Sequence, residues 1–491
     1  MLRKIRIALA TIFFVAITLL FLDFTGTLHH YLSWMAKLQF LPAVLSLNVV
    51  VLLILLLLTL VFGRIYCSVI CPLGVMQDLM ASVRRKKNRY SYSPAVSWLR
   101  YLMLAVMVVA IATGIGSLVA LLAPYSSFGR IATHLLQPLY MGVNNVLASL
   151  AERADSYAFY SVDVWLRTLP TLIIAALTFV VLFILAWRNG RTYCNTICPV
   201  GTVLGFVARF SWLKVRFDAD KCRNCSLCSK NCKASCIDYK THTVDYSRCV
   251  ACGNCVEKCK FGALRYAPAT KKTTSEAQPA DLPDKGKRTF LLTTALAGTA
   301  LMAQEKKKVD GGLAVIESKA IPTRQTPITP PGSMSAQNMA RHCTGCQLCV
   351  AQCPNQVLRP ATDLTHMMQP VMSYERGYCR PECTRCSEVC PTGAIKPITP
   401  EVKSSTQMGH AVWIKKNCIP LTDGVECGNC ARHCPVGAIE MVPSDPDDEA
   451  SAYVPAVNES RCIGCGACEN LCPARPFPAI YVEGHEVHKE V

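Results

Sequence analysis

Four long apolar runs mark the first part of the chain, at about 5–23, 40–62, 101–121 and 170–187. The second, Phe40 to Phe62, holds no charge over a length that crosses the ~30 Å hydrocarbon core of a bilayer with some tilt. The pattern predicts four transmembrane helices. Charge between the runs is uneven. The stretch after the second carries Arg64, Arg84, Arg85, Lys86, Lys87 and Arg89; the loop after the first has Lys37, and the loop 122–167 has Arg130, Arg153 and Arg167. By the positive-inside bias, both ends of this four-helix unit face the cytoplasm.

Beyond residue 214 the long runs give way to short cysteine-rich stretches. Residues 267–288 are rich in Lys, Thr, Ser, Ala, Pro and Asp, a solvated linker. Lys285-Gly286-Lys287-Arg288 then leads into the uncharged run Phe290 to Ala303, whose 14 residues are short for a span and suit an export-like signal or an interfacial segment. As a fifth span it places the C-terminal half outside the cytoplasm; as a membrane-lying helix it keeps that half inside. Lys306, Lys307 and Lys308 balance the basic residues before the run, so local charge does not choose.

Composition changes the picture at one residue type. The chain has 29 cysteines in 491 residues, an odd number, mostly two or three residues apart, which excludes a purely intramolecular disulfide framework and fits metal ligation. The net charge of +18 flanks the apolar runs and does not call for nucleic acid. Cys222, Cys225, Cys228 and Cys232 form C-x2-C-x2-C-x3-C, and Cys249, Cys252, Cys255 and Cys259 repeat it. In this spacing three thiolates from one tight loop hold three corners of a [4Fe–4S] cubane, and the fourth cysteine of each run serves the other cluster. Zinc needs two pairs and leaves such runs unused. Cys236 is extra and reads as packing.

Sixteen more cysteines fall into four runs: Cys343, Cys346, Cys349, Cys353; Cys379, Cys383, Cys386, Cys390; Cys418, Cys427, Cys430, Cys434; and Cys462, Cys465, Cys468, Cys472. Together the 24 cysteines are read as the iron ligands of six [4Fe–4S] clusters, with the pairing between runs left open. The expected fold is a membrane α-helical unit of four transmembrane helices, with or without a fifth, plus α+β bacterial-ferredoxin-like modules. Its parts are 1–214, the membrane unit; 215–266, a two-cluster module; 267–334, the linker with the short apolar segment; and 335–491, a four-cluster module.

The membrane half also contains a repeat. Arg64-Ile65-Tyr66-Cys67-Ser68-Val69-Ile70-Cys71-Pro72 matches Arg191-Thr192-Tyr193-Cys194-Asn195-Thr196-Ile197-Cys198-Pro199. Each copy follows an even-numbered run, so the two motifs are expected at the cytoplasmic surface in a pseudo-twofold arrangement. Cysteines four apart share one helical face. Quinone-site lining, a redox-active dithiol and a four-thiolate metal site are all open for Cys67, Cys71, Cys194 and Cys198. No C-x-x-C-H occurs, the apolar runs hold no histidine, and no flavinylation-like or nucleotide motif is present, so neither haem nor flavin is expected. His29, His30 and His134 fall in expected loops.

The chain resembles a fusion of two accessory proteins of periplasmic nitrate reduction. Residues 1–266, with four spans, two C-x3-C-P motifs and a two-cluster module, are similar to the NapH type. Residues 285–491, with an export-like signal, four cluster motifs and Gln407-Met408-Gly409-His410-Ala411-Val412, are similar to the NapG and MauM type. The resemblance implies a multi-pass protein of a bacterial inner membrane, with module 215–266 cytoplasmic and 335–491 periplasmic. It implies a quinol dehydrogenase component that draws on the quinone pool near Cys67, Cys71, Cys194 and Cys198. Electrons would leave through the clusters to an extracytoplasmic reductase or cytochrome. Two alternatives stand beside it: a maturation factor that reduces metal or thiols in a partner enzyme, and a quinone-independent conduit.

Overall fold

The computed structural model describes residues 2–83, 90–156, 158–218, 220–268 and 319–490. The short apolar run at 290–303 lies outside the described residues. The first apolar run forms α1 (Leu2–Leu22), followed by α2 (Leu28–Lys37). The second run is not one helix. It splits into a short helix, Phe40–Leu45, and α3 (Val49–Phe62). Leu47 sits at φ 52°, and the Asn48 side chain accepts a hydrogen bond from the Val51 amide, so an N-cap starts a fresh helix inside the run. After the first C-x3-C-P motif comes α4 (Pro72–Ser82).

The third run is α5 (Ser97–Thr113), closed by Gly114 in the left-handed conformation. The segment expected as loop 122–167 is largely helical. It contains α6 (Pro124–Ile131), buried at every residue, then a π-turn, Ala132–Leu136, leading into α7 (Gln137–Glu152). His29, His30 and His134 therefore lie in helical backbone, not in loops. Proline at the first helical position begins α4 and α6, a start signal that the apolar count overlooked. The fourth run is α8 (Leu169–Asn189), and α9 (Pro199–Ala208) follows the second motif. Only α1 and α8 among the described helices are long and apolar enough to cross a membrane. At 1.5 Å per residue α3 and α5 reach about 21 and 25 Å, short of four continuous spans.

The first ferredoxin-like unit is framed by β1 (Leu213–Phe217) and β2 (Leu264–Pro268), paired antiparallel from Leu213↔Pro268 to Phe217↔Leu264. In the C-terminal unit, β3 (Thr406–Trp413) pairs with the last strand, while β4 (Ile439–Asp445) and β5 (Asp448–Val457) form a hairpin. That last strand is β6 (Ile480–Glu490), antiparallel to β3.

The two units dock at opposite ends of the helical unit. The first is held where α1 and α5 begin and α3 and α8 end. Trp212 N donates to Leu60 O at 2.6 Å, Tyr266 Oη to Phe62 O at 2.6 Å, Arg100 Nη1 to Ser247 Oγ at 3.1 Å and Arg191 N to Lys233 O at 2.9 Å. The second is held where α1 ends and α7 begins. Gln352 Nε2 donates to Leu20 O at 2.5 Å, Ser126 Oγ to Thr344 O at 2.6 Å and Gln137 Nε2 to Ala351 O at 3.2 Å. Between the ends the helices show apolar side chains outward: Ile12 is 60% exposed, Leu53 54%, Val108 58% and Leu177 62%. Soluble monomers rarely expose so continuous an apolar belt.

Candidate iron–sulfur and thiol sites

Each cysteine run wraps a tight loop followed by a short helix. Around the second cysteine of four runs the backbone takes positive φ on both sides: Asn224 and Ser226, Ala251 and Gly253, Gly345 and Gln347, Gly464 and Gly466. The two runs with altered spacing, at 379–390 and 418–434, lack this pair among the positive-φ residues. In the left-handed conformation a residue turns the chain sharply, so three thiols can face one point.

Three cavities are lined by cysteine quartets. One holds Cys222, Cys225, Cys228 and Cys259; a second holds Cys232, Cys249, Cys252 and Cys255; a third holds Cys418, Cys427, Cys430 and Cys472. The remaining cysteines of the runs group by mutual electrostatic reach. Cys390 joins Cys343, Cys346 and Cys349. Cys353 joins Cys379, Cys383 and Cys386. Cys434 joins Cys462, Cys465 and Cys468. In every quartet the fourth cysteine of one run stands with three of another. Cys236, read as packing, lies in the second cavity with its sulfur 3.5 Å from Cys232 Sγ.

These quartets fit cubanes better than single ions. Among the described residues no three His, Cys, Asp or Glu side chains converge closely enough to hold one metal ion. In three of the quartets the four thiols line one common gap, the arrangement that the ligands of a cubane would take. Burial pushes the Cys346 thiol up to about 12 and the Cys228, Cys430 and Cys379 thiols up to about 11. Such thiols ionise only against a strong local positive charge, which iron bound there would supply.

The C-x3-C-P motifs meet. Cys67, Cys71, Cys194 and Cys198 are 4%, 4%, 4% and 5% exposed, and each lies within electrostatic reach of the other three. The repeat closes on itself by exchange of arginines. Arg64 Nη2 donates to Cys194 O at 3.1 Å, and Arg191 Nη1 donates to Cys67 O. Arg64 also reaches Asn195 Oδ1 at 2.9 Å and Ser247 O at 3.0 Å, tying the motifs to the first ferredoxin-like unit. A glycine completes each copy: a Cβ on Gly74 would stand 2.3 Å from Cys67 O, and one on Gly201 2.3 Å from Cys194 O. Gln77 Nε2 approaches Cys194 Sγ at 3.3 Å. Asp78 gathers Arg191 at 2.9 Å, Lys233 at 3.3 Å and Arg6 at 3.6 Å. Burial opposes its ionisation, and Arg191 and Lys233 outweigh that, holding the carboxyl well below the usual range.

The helix α6 bridges this thiol site and the C-terminal unit. Tyr193, beside Cys194, donates to Leu122 O at 3.3 Å just before α6 and makes a side-chain hydrogen bond with Ser127 within it, and Tyr125 lies within electrostatic reach of Cys346 and Cys390. Sequence reasoning missed α6 and the role of Arg64 and Arg191. The arginine three residues before each first cysteine was a readable signal; the buried α6 was not.

A family model described as a 4Fe-4S binding domain matches residues 46–90 and 168–218, one copy over each C-x3-C-P motif with the helix before it. A 4Fe-4S dicluster domain matches 342–394 and 425–475, and a further 4Fe-4S binding domain matches 242–265. The chain is 31% identical over 166 residues to the methylamine utilization ferredoxin-type protein MauM of Methylobacillus flagellatus, covering 33% of this chain and 70% of that one. It is 28% identical over 209 residues to the ferredoxin-type protein NapG of Escherichia coli, 41% of this chain and 86% of that one. A third relative, YccM of Escherichia coli, is named for electron transport; it is 27% identical over 245 residues, 47% of this chain and 60% of that one. No solved structure matches the chain.

Proposed function

The chain belongs to the ferredoxin-type iron–sulfur electron-transfer proteins of the MauM and NapG kind, and on that premise we propose that it carries electrons through a membrane-embedded helical unit from quinol to an extracytoplasmic redox partner. The observation that carries this reading is the docking of cysteine-quartet units at opposite ends of one apolar-belted helical unit. The shorter helices α3 and α5 cross with help from the ends they meet, since the break at Asn48 and the helix after Gly114 extend the apolar path. One quinol oxidised releases two electrons and two protons. The electrons leave singly through the cluster sites to the partner, and the protons go to water.

The six quartets would hold six [4Fe–4S] clusters, whose chemistry is one-electron transfer at a tuned potential. Cys67, Cys71, Cys194 and Cys198 would form a seventh four-thiolate site, a reading favoured by the match of the 4Fe-4S binding domain to both motifs. Because α6 joins that site to the C-terminal unit, a quinone-independent conduit between the two ends is the second reading.

Anaerobic purification, iron analysis and reduction by a quinol analogue test these readings together. The expected result is about 28 irons per chain and bleaching of cluster absorbance by quinol, falling to about 24 irons in Cys67→Ser/Cys194→Ser. Reduction by dithionite but not by quinol sinks the quinol reading and leaves the conduit. An unchanged iron count in the double variant sinks the seventh site.

A further inference from the structure

Where α7 begins, a cavity of about 300 Å³ opens between the helical unit and the C-terminal unit. His134, Gln137, Arg167 and Arg385 are among its polar lining residues, Met141 and Trp165 among its apolar ones, and Cys353 also lines it. None of the four C-x3-C-P thiols lines it. Its polar groups are fixed from behind. His134 Nε2 lies 2.7 Å from Gln347 Oε1, Arg167 Nη2 donates to Gln137 Oε1 at 2.8 Å, and Gln137 Nε2 donates to Ala351 O at 3.2 Å. The Arg359 and Arg376 guanidinium groups each lie over the Trp165 ring, 4.7 Å from its centre. Two groups of the lining are left over: Arg167 Nη1 and Thr133 Oγ1 are buried and have no hydrogen-bond partner. A buried guanidinium donor without a partner costs about 1–3 kcal/mol or more, so a ligand acceptor is called for here.

We infer that this cavity is the binding site for a quinone headgroup, a deeper form of the quinol reading on which it rests. Three features select that chemistry. A quinone carbonyl is the acceptor that Arg167 Nη1 lacks. The ligand is lipid-borne, since α7, which supplies Pro138 and Met141 to the lining, exposes Leu139 at 68%, Val143 at 59% and Val146 at 61% beside it. The ligand is redox-active, since Cys353 belongs to the quartet with Cys379, Cys383 and Cys386 and itself lines the wall. A pocket that joins apolar walls to convergent polar groups is the usual form of a small-molecule site.

The test uses the full-length, cluster-loaded protein in lipid nanodiscs with a photoreactive azido-quinone, the adducts mapped by peptide mass spectrometry. The expected adducts fall within 133–141 or 159–167 and are displaced by excess unreactive quinone. Met141→Trp, which fills the cavity, lowers this labelling at least tenfold with iron content unchanged. Arg167→Lys, which keeps the charge but not the fork, weakens displacement several-fold and serves as the second variant if Met141→Trp does not assemble. Displaceable adducts only elsewhere, for instance at residues 64–77, overturn the cavity assignment while leaving quinol oxidation standing. No adduct and no bleaching of the clusters by quinol overturn both.

Discussion

Glycine and non-glycine residues do the same backbone work in the cysteine loops, at different cost. Gly464 and Gly466 flank Cys465 at φ 73° and 79°, whereas Asn224 and Ser226 flank Cys225 at φ 51° and 58°. The left-handed conformation costs an L-residue roughly 1–2 kcal/mol, so the first unit's loop stores strain that cluster binding must offset. Gly466 has a second constraint, because a Cβ there would stand 2.2 Å from the Tyr374 ring, whose hydroxyl donates to Gly464 O at 2.5 Å. Gly466→Ala is therefore expected to empty the quartet of Cys434, Cys462, Cys465 and Cys468, with iron falling by about four per chain. Retention of full iron would show that the ring yields. Asp78 carries the other residue-level expectation. Its carboxyl is held below the usual range, so its stabilising effect is complete above the unfolded value of about 3.9 and fades as pH falls through the lower folded one. Asp78→Asn leaves Arg191, Lys233 and Arg6 without their shared anion. Its expected cost is about 3–5 kcal/mol, read as a lower unfolding temperature in detergent at neutral pH and a smaller acid dependence.

At the scale of elements, α6 decides how the helical unit meets the C-terminal unit. All eight of its residues are buried, and a Cβ on Gly129 would stand 2.2 Å from Cys346 O. Phe128 is wedged against Phe14 and Phe21 at centroid distances of 5.7 and 5.9 Å. Gly129→Val is expected to loosen this docking without touching a cysteine. Limited proteolysis should then release the C-terminal unit faster, with its iron retained; unchanged proteolysis would mean that Ser126, Gln137 and Gln352 hold the interface without α6. The same element shows why hydropathy misleads. The helix Pro124–Ile131 includes Ser126, Ser127 and Arg130, so it reads as polar loop, yet the Ser126 and Ser127 hydroxyls and both Nη groups of Arg130 find partners from two units inside the protein. Conversely, the run Phe40–Phe62 reads as one uninterrupted helix, because a single Asn48 barely lowers its apolar mean while supplying a cap that divides it.

For the whole molecule, the helical unit sets the two ferredoxin-like units apart at its opposite ends, and the proposed function makes a prediction about topology. If residues 215–266 are cytoplasmic, the C-terminal unit faces the other side. Alkaline phosphatase fused after Val491 is expected to be active in cells and green fluorescent protein at the same position dark. The reverse pair of signals would put both units on the cytoplasmic side and end the transmembrane reading. The cysteine runs and the basic flanks of the apolar runs were legible in the sequence because each is local: three ligands of a cubane come from one loop, and a span is a continuous stretch of chain. What belongs to distant residues was not legible. The partner of Cys353 or Cys472, the meeting of Cys67 with Cys194, the crossed arginines Arg64 and Arg191, and the pocket that gathers His134, Arg167 and Cys353 depend on contacts between segments well separated along the chain. Spacing along the chain carries no information about which loops are brought together, and only the packing of the helices decided that.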